Sequence, residues 1–334
     1  RTLTLSKHKM YCLSSDYFTD MVRAFLIVPV NIGLLETIAV ADTEGQYNSD
    51  RTGDGEFTID DFYKLVDDKE WNYSTLAQFS DKIFADGATG DEGMDLRDTI
   101  GFALGTDSGL SASGMLYTTS ITIFEREYDA ATGEYTYSYP GATTSDGGKT
   151  FQVTSVNEQL VDFCENLSDL FEAKGVIAVG AHGTETFGYG TTDLQAIRAR
   201  FATNNVLFGG VICLGSLEYD EYKDMNDEGK KGYGVAPVPL YAKTGDAGKD
   251  LYQTQIHNLG RIGAISYTTK KFAQCSAYLD YLCRYSHEIL IEYYESKLQY
   301  EVVNSEVQGN VQMLEYIRKN VRSSFDKAYE DALG

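Results

Sequence analysis

The sequence predicts an α/β protein, and three observations carry that class. Short apolar runs recur, each closed by Gly, Pro or a polar loop: AFLIVPV at 24–30, IGFAL at 100–104, VICLG at 211–215 and GYGVAPVP at 232–239. Between them lie stretches with apolar residues three and four apart, the spacing of one helix face. The alternation is plainest from Phe201 to Lys271. That stretch predicts a strand over Val206 to Leu214, a polar Tyr-bearing helix, a strand ending in GVAPVP, a long loop, a strand at RIGAIS (261–266) and another helix. Such a layout delivers polar and aromatic side chains to the ends of several strands, where α/β proteins bind ligands.

From the N-terminus, residues 1–13 end in a strand around KMYCL, and 24–31 form a buried strand. A polar, Asp- and Gly-rich insert covers 42–61. Helical spacing over 58–69 and 73–85 points to two helices with Thr58 and Ser74 as N-caps. A second Gly/Asp loop at 86–98 precedes the IGFAL strand. Alternating runs on either side of AATG, within 121–139, signal a β-hairpin. A Gly/Thr/Ser linker at 141–149 leads to an amphipathic helix over 155–173, closed by Gly175. A Gly/Thr-rich stretch at 178–192 holds His182, and a helix over 193–203 comes next. The C-terminal third reads as helices over 272–297 and 306–332.

At 334 residues the chain can bury a sizeable core in two or three domains. The formal net charge of −22 argues against a nucleic-acid partner, because phosphate binding needs clustered Lys and Arg. The basic pairs Lys230–Lys231 and Lys270–Lys271 are isolated. Tyr, at 25 residues, outnumbers the single Trp, and suits both sheet surfaces and polyol recognition. The five Cys are odd in number, widely spaced and free of any CxxC, so they form neither a metal nor a disulfide framework. No apolar run reaches the eighteen residues of a membrane span. No signal peptide is visible, and the chain is expected to begin inside a larger protein.

One loop carries metal-ligand spacing. In DRTGDGEFTIDD at 50–61, Asp50, Thr52 and Asp54 occupy positions 1, 3 and 5 of an EF-hand-like loop. Gly55 falls at the sharp turn of position 6, Glu56 offers its carbonyl at position 7, and Asp61 stands at position 12. Hard oxygen ligands at this spacing converge on Ca²⁺ as a structural ion. The loop departs from the pattern with Thr52 in place of an acid, Asp61 in place of the bidentate Glu, and no clear helix leading in.

The order of elements resembles a known family. Asn31, Leu34 and Leu35 come after the first long strand, an aspartate-rich loop (Asp91, Asp95, Asp98) runs into Gly101–Phe102, and a loop, helix and hairpin occupy 105–139. Then come F-x₅-L-F at 201–208, GYGVAPVP, RIGAISYTTKK and a helix with EYYESKL. This order is similar to the extracellular solute-binding proteins of ABC importers, family 1, the maltose-binding-protein-like type. The resemblance implies a periplasmic-binding-protein-like (type II) two-lobed fold with discontinuous lobes. A main α/β lobe would span 24–263 with the acidic insert 42–61. Residues 1–23 and 264–334 would be remnants of the second lobe and hinge, the N-terminal half-lobe lying outside the chain. It also implies a small polar solute, most readily an oligosaccharide, a membrane permease partner, a monomer, and a cell-surface location with a lipid anchor on a segment outside this chain. Carried over residue by residue, the ligand contacts would be Arg23, Thr106, Asp107, Ser108, Tyr117, Cys213, Gly215, Ser216, Tyr219 and Tyr222. His257 and Asn258 would line the return to the hinge. Tyr219 and Tyr222, three apart, are expected on one face of a helix.

Two other classes compete. A calcium-stabilised surface or adhesion domain fits the acidic, loop-heavy composition. A cysteine peptidase of the clostripain or caspase kind would pair His182, after the strand VIAVGA, with Cys213, after GGVI.

Overall fold

The computed structural model describes residues 20–41, 46–87, 94–106, 110–119, 121, 158–182, 193–227, 230–246, 250–257, 263–294 and 308–322, with the strand residues 4–5, 9–10, 125–129, 134–138, 142–145 and 150–153. The first elements are an antiparallel pair, β1 (Thr4–Leu5) and β2 (Lys9–Met10), and a one-turn helix, α1 (Asp20–Arg23). Strand β3 (Leu26–Asn31) is buried at all six positions. Asn31 ends the strand and sets the direction of the next helix. Its side-chain oxygen accepts the Leu34 N–H at 3.1 Å and caps α2 (Ile32–Leu35). Its amide donates to the Phe201 carbonyl at 3.0 Å and to Asn204 Oδ1 at 2.9 Å, so one fully buried polar side chain ties three segments together.

Helix α3 (Ile59–Asp67) starts after Thr58, as the spacing predicts. Helix α4 (Tyr73–Ile83) does not start at Ser74. Asn72 is its N-cap, accepting the Thr75 N–H at 3.1 Å, and Ser74 lies inside the first turn. After β4 (Ile100–Leu104) and α5 (Ala112–Tyr117) come two hairpins, β5 (Glu125–Asp129) with β6 (Glu134–Ser138), and β7 (Ala142–Ser145) with β8 (Thr150–Val153). The first hairpin flanks AATG as expected. The chain continues through α6 (Glu158–Glu172), β9 (Val176–Ala178), α7 (Asp193–Ala202), β10 (Val206–Phe208), β11 (Ile212–Cys213), α8 (Asp220–Asp224), β12 (Tyr233–Ala236), β13 (Thr254–Gln255), α9 (Phe272–Glu292), α10 (Gln308–Lys319) and β14 (Val321–Arg322).

The class is α/β, with one mixed sheet of six strands at its centre. β9, β4 and β10 run parallel, β3 runs antiparallel beside β10, and β12 pairs antiparallel with β3 on its other edge. The apolar run predicted as one strand over 206–214 is two strands on the same edge of β3. Phe208 faces Val30, whereas Ile212 faces Ile27, so four steps on one side answer three on the other. The extra residue is a β-bulge, and Gly210 sits in it with φ of 75°. The bulge falls opposite Pro29, whose carbonyl accepts the Gly209 N–H at 3.0 Å. A proline in a doubly paired strand lacks one ladder donor. Here the missing N–H points at the edge where the ladder is already interrupted.

An aromatic cluster covers one face of this sheet. Phe62, Trp71, Phe79 and Phe208 meet with centroid distances of 5.1 Å (Phe62–Trp71), 6.0 Å (Phe62–Phe79) and 4.9 Å (Trp71–Phe208). Full burial of each such ring contributes about 1.5–3 kcal/mol. Trp71 Nε1 donates to the Pro237 carbonyl at 2.9 Å, tying the cluster to the chain just past β12. The outer edge of β12 is closed by side chains. Asn310 Oδ1 accepts from the Tyr63 hydroxyl and from the Val235 N–H, and Tyr63 Oη also takes that N–H at 3.1 Å.

Two expectations fail near the C-terminus. Residues 264–266 of RIGAIS form no strand, and Arg261 and Ile262 lie outside the described residues. The helix read over 306–332 stops at Lys319, because Asn320 turns the chain into β14, which pairs parallel with β13. Helix α9 is exposed along most of its length, with Tyr278, Tyr281, Tyr285 and Ile289 on the surface. Among the described residues no helix is long and apolar enough to cross a membrane.

Gly210→Ala is expected to destabilise the protein by more than about 2 kcal/mol, combining a left-handed backbone with a methyl group 2.4 Å from the Ala103 carbonyl oxygen. Denaturant unfolding of the variant against the parent measures it.

Candidate functional site

The parallel strands β4 and β9 and the bulged β10–β11 strand all end at one side of the sheet, and β3, running the other way, begins there. A cleft of about 540 Å³ opens at that side. Leu110 comes from the loop after β4 and Leu194 from the start of α7, after β9. The run from Cys213 to Tyr219 forms a wall after β11, and Asp20, Arg23 and Ala24 arrive just before β3. A crevice outside the carboxyl ends of parallel strands is the usual ligand position in an open α/β sheet.

The wall is a 3₁₀ turn, Leu214–Glu218, which buries Leu214 and Leu217 and leaves Gly215, Ser216 and Glu218 on the cleft. Gly215 has no side chain because Arg23 passes over it: a Cβ there would lie 2.8 Å from Arg23 Cβ. Arg23 Nη2 meets Glu218 Oε2 at 2.9 Å. The hydroxyl of Tyr293, which caps the end of α9, donates to the other oxygen, Glu218 Oε1. Burial, then the Glu218 carboxylate, push the Tyr293 phenol up, so it remains a donor at neutral pH. Tyr219 is half exposed, and the Arg198 guanidinium lies 3.9 Å from its ring centroid. Arg198 Nε is in turn 3.0 Å from Glu221 Oε1, which fixes the guanidinium behind the ring.

Five of the residues named as ligand contacts line this cleft together: Arg23, Cys213, Gly215, Ser216 and Tyr219. Thr106 stands beside it. Its N–H and hydroxyl both donate to Asp193 Oδ2 and so fasten the end of β4 to the start of α7. Tyr117, the last residue of α5, is half-buried and outside the lining. Asp107, Ser108 and Asn258 lie outside the described residues. Two expectations are corrected. Tyr222 does not share a helix face with Tyr219, because α8 begins only at Asp220 and Tyr219 is its extended N-cap. Tyr222 turns inward and packs against Phe201 and Tyr233, with both centroid distances 5.5 Å. His257 is buried, and its N–H donates to the Ala24 carbonyl at 2.8 Å, so it supports the cleft from behind. Sequence reasoning missed Asp20 and Glu218. Both were within reach of it: Asp20 is three residues before Arg23, and Glu218 two after Ser216.

The Cys213 thiol is pushed up to about 12 by burial. It is therefore protonated at neutral pH, the opposite of what a nucleophilic thiol needs. The His182 side chain lies outside the described residues.

The second cluster is the 50–61 loop. Carboxylate oxygens of Asp50, Asp54 and Asp61 lie within 4.8 Å of one another. Gly53 and Gly55, with φ of 86° and 87°, let the loop fold back so that their N–H groups reach Asp50, at 2.5 and 2.8 Å. The Gly53 N–H above all, then that of Gly55, hold the Asp50 carboxyl below its ordinary range. Asp61 is fully buried. Its Oδ1 accepts the N–H groups of Arg51 and Thr52, and its Oδ2 accepts the N–H and hydroxyl of Thr58. Asp61 thus caps α3 as well as closing the loop. Thr52 Oγ1 is 3.3 Å from Asp50 Oδ1, and the Glu56 N–H donates to Asp54 Oδ1 at 3.0 Å. Hard-oxygen donors converging at this spacing fit a divalent cation such as Ca²⁺. Among the described residues, 46–50 are not helical, so no helix runs directly into the loop there.

Cys213 in the folded chain should resist alkylation at pH 8, and its rate should still be climbing as pH approaches 12. In the denatured chain the rate should level off above about 9, the ordinary thiol range. Site-resolved mass spectrometry, with the exposed Cys164 as internal reference, reads both profiles.

No protein-family model, no curated protein and no solved structure matches this chain.

Proposed function

We propose that this chain is the solute-binding component of an ABC importer, acting outside the cell and closing two lobes around an oligosaccharide. The observation that carries the reading is the composition of the cleft: an exposed aromatic face, a fixed Arg–Glu pair and a wall of small residues around about 540 Å³. A flat ring stacks on sugar faces, and planar charged groups pair with vicinal hydroxyls. The volume is that of a pocket for a small solute. Affinity in this reading comes from closure of a main lobe, 24–263, against a second lobe to which 1–23 and 264–334 contribute. In that division the Arg23–Glu218–Tyr293 contact joins both second-lobe segments to the main lobe beside the cleft. The exposed Tyr face of α9 supports the division, as a surface made for packing. The protonated Cys213 thiol counts against the competing cysteine-peptidase reading. The remaining parts of the reading are a permease pair that recognises the closed state, a monomeric chain, and a lipid anchor on a segment outside this one.

In the same reading the 50–61 loop holds a structural Ca²⁺. Phe57, within the loop, packs on Phe79 at 5.7 Å, and Arg51 reaches Asp68 at 2.7 Å and Glu70 at 2.6 Å. A cation there would brace the start of α3 and the aromatic cluster at once.

Thermal unfolding across a panel of neutral oligosaccharides should show at least one stabilising ligand, with Tyr219→Ala weakening its affinity at least tenfold while shifting the ligand-free midpoint little. A flat response across sugars and short peptides would favour the calcium-stabilised surface domain instead. Excess Ca²⁺ over chelator should raise the unfolding midpoint, and Asp54→Asn should abolish the rise. At a hundredfold excess over Kd the stabilisation is about 2.7 kcal/mol. Equal midpoints in calcium and in chelator would rule the ion out.

A further inference from the structure

Among the described residues, Tyr219 is the one aromatic side chain that lines the cleft. Its backbone is extended, at φ −68° and ψ 148°, because it stands before α8 and not inside it. The residue is 51% exposed. An aromatic side chain so placed samples several rotamers, and ordering it on binding costs affinity. Here the order comes from α7. Arg198 lies one turn after Leu194, which itself lines the cleft, so both sit on one face of that helix. The Arg198 guanidinium carbon is 3.9 Å from the centre of the Tyr219 ring, a contact that leaves no room for a solute between them. Glu221, in the first turn of α8, holds the guanidinium in turn, with Nε to Oε1 at 3.0 Å. Only 12% of the Arg198 side chain is exposed. The helix beneath is itself pinned. Thr106 donates twice to Asp193, and Arg200 Nη2 donates to the carbonyls of Arg97 and Asp98 at 3.0 and 3.2 Å.

We propose that Arg198 is a positioning residue of this cleft, holding the Tyr219 ring from behind as a one-faced platform on which a solute ring stacks. The proposal rests on the solute-binding reading above. The guanidinium takes one face of the ring, so a solute meets the opposite face and the edge. The apolar face of a sugar gains from such a surface by burial and dispersion, and needs no charge from the protein. The gain is larger when the ring is already in place, since no rotamer has to be frozen at the moment of binding. Arginine suits this better than lysine, because its planar group lies flat on the ring while its Nε still faces Glu221. A cation held over a ring is worth roughly a twofold to thirtyfold bias toward that geometry. Arg198 does not touch the solute and acts only through Tyr219.

Calorimetric titration of the full chain with neutral trisaccharides of gluco, galacto and manno configuration identifies the best binder. Fluorine NMR of fluorotyrosine-labelled protein, with the Tyr219 signal assigned from Tyr219→Phe, reads the ring without ligand. Arg198→Met, which keeps length and removes the cation, is expected to weaken the best sugar about threefold or more and to move the Tyr219 signal toward that of free fluorotyrosine. Arg198→Lys, which returns a cation, should fall between Arg198→Met and the parent in both readouts. Glu221→Gln, at a side chain 40% exposed, should shift both in the same direction by less. Where Arg198→Met fails to fold, the Glu221→Gln signal and affinity decide. A purely structural arginine would lower the unfolding midpoint without moving the Tyr219 signal. An unmoved signal in both variants would overturn the proposal and leave the solute-binding reading standing. So would a smaller loss of affinity in Arg198→Met, or lysine binding sugar more weakly than methionine. Absence of heat with every sugar would overturn both together.

Discussion

The bulge opposite Pro29 is the constraint on which the site depends. β10 runs parallel to β4 and antiparallel to β3, and a regular strand would continue in that register past Phe208. The extra residue at Gly209–Gly210 ends the pairing with β4 while β11 keeps hold of β3. The strand then leaves the sheet one position early and winds into the 3₁₀ turn that walls the cleft. Only glycine can stand at Gly210, since its φ is left-handed and the Ala103 carbonyl occupies the space of a side chain. Pro29 and Gly210 are therefore one device. The proline removes a ladder donor, and the bulge makes that donor unnecessary.

Around this device the structure is held by a few buried polar contacts set into apolar packing. Asn31 fixes the far end of β3 to the end of α7, and Asn310 with Tyr63 closes the outer edge of β12. An open strand edge is a site for unwanted pairing, and side-chain closure removes it without another strand. The aromatic cluster then carries mechanical continuity from the acidic insert to the sheet, through Phe57, Phe79 and Phe208. The insert is mostly acidic and exposed at its tip and aromatic at its root, with the buried Asp61 carboxylate joining the two.

How much of this was legible in the sequence depended on whether the signal was local. Thr58 as a cap, the AATG hairpin and the IGFAL strand depend on neighbours in sequence, and they stand as read. The EF-hand-like spacing also translated into convergence, because the glycines at fixed offsets dictate the turn. Failures came where distant partners decide. Tyr222 looks like a partner of Tyr219 by spacing, but Tyr219 stays outside the helix because the wall turn ends only at Glu218. Asn72 outcompetes Ser74 because Tyr73 must bury, and its N–H pairs with the Leu240 carbonyl across the fold. RIGAIS has a strand's composition, yet its 264–266 section is partly exposed and unpaired in any strand. Five cleft residues were accessible to reading because they cluster at a strand end. Glu218 stands only two residues past Ser216, but its pairing with Arg23 and Tyr293, some 200 and 75 positions away, was not readable.

Magnitudes decide whether a net charge of −22 by itself sets what enters the cleft. Surface charges act through water, where screening at physiological ionic strength removes most of the interaction beyond about 8 Å. Spread over a chain of this size, most of the acidic residues lie farther than that from the cleft, so they influence approach more than selection. Within the lining the conditions differ. Glu218 keeps only 22% of its side-chain exposure, and Arg23 42%, so water screens them less. A unit charge about 5 Å away at an effective dielectric near 20 is worth about 3 kcal/mol, more than the summed effect of distant, screened charges. Any charge effect inside the cleft is therefore set by nearby groups such as Arg23 and Glu218, which Gly215 lets approach each other at the wall. The global acidity acts at longer range, on approach to the surface.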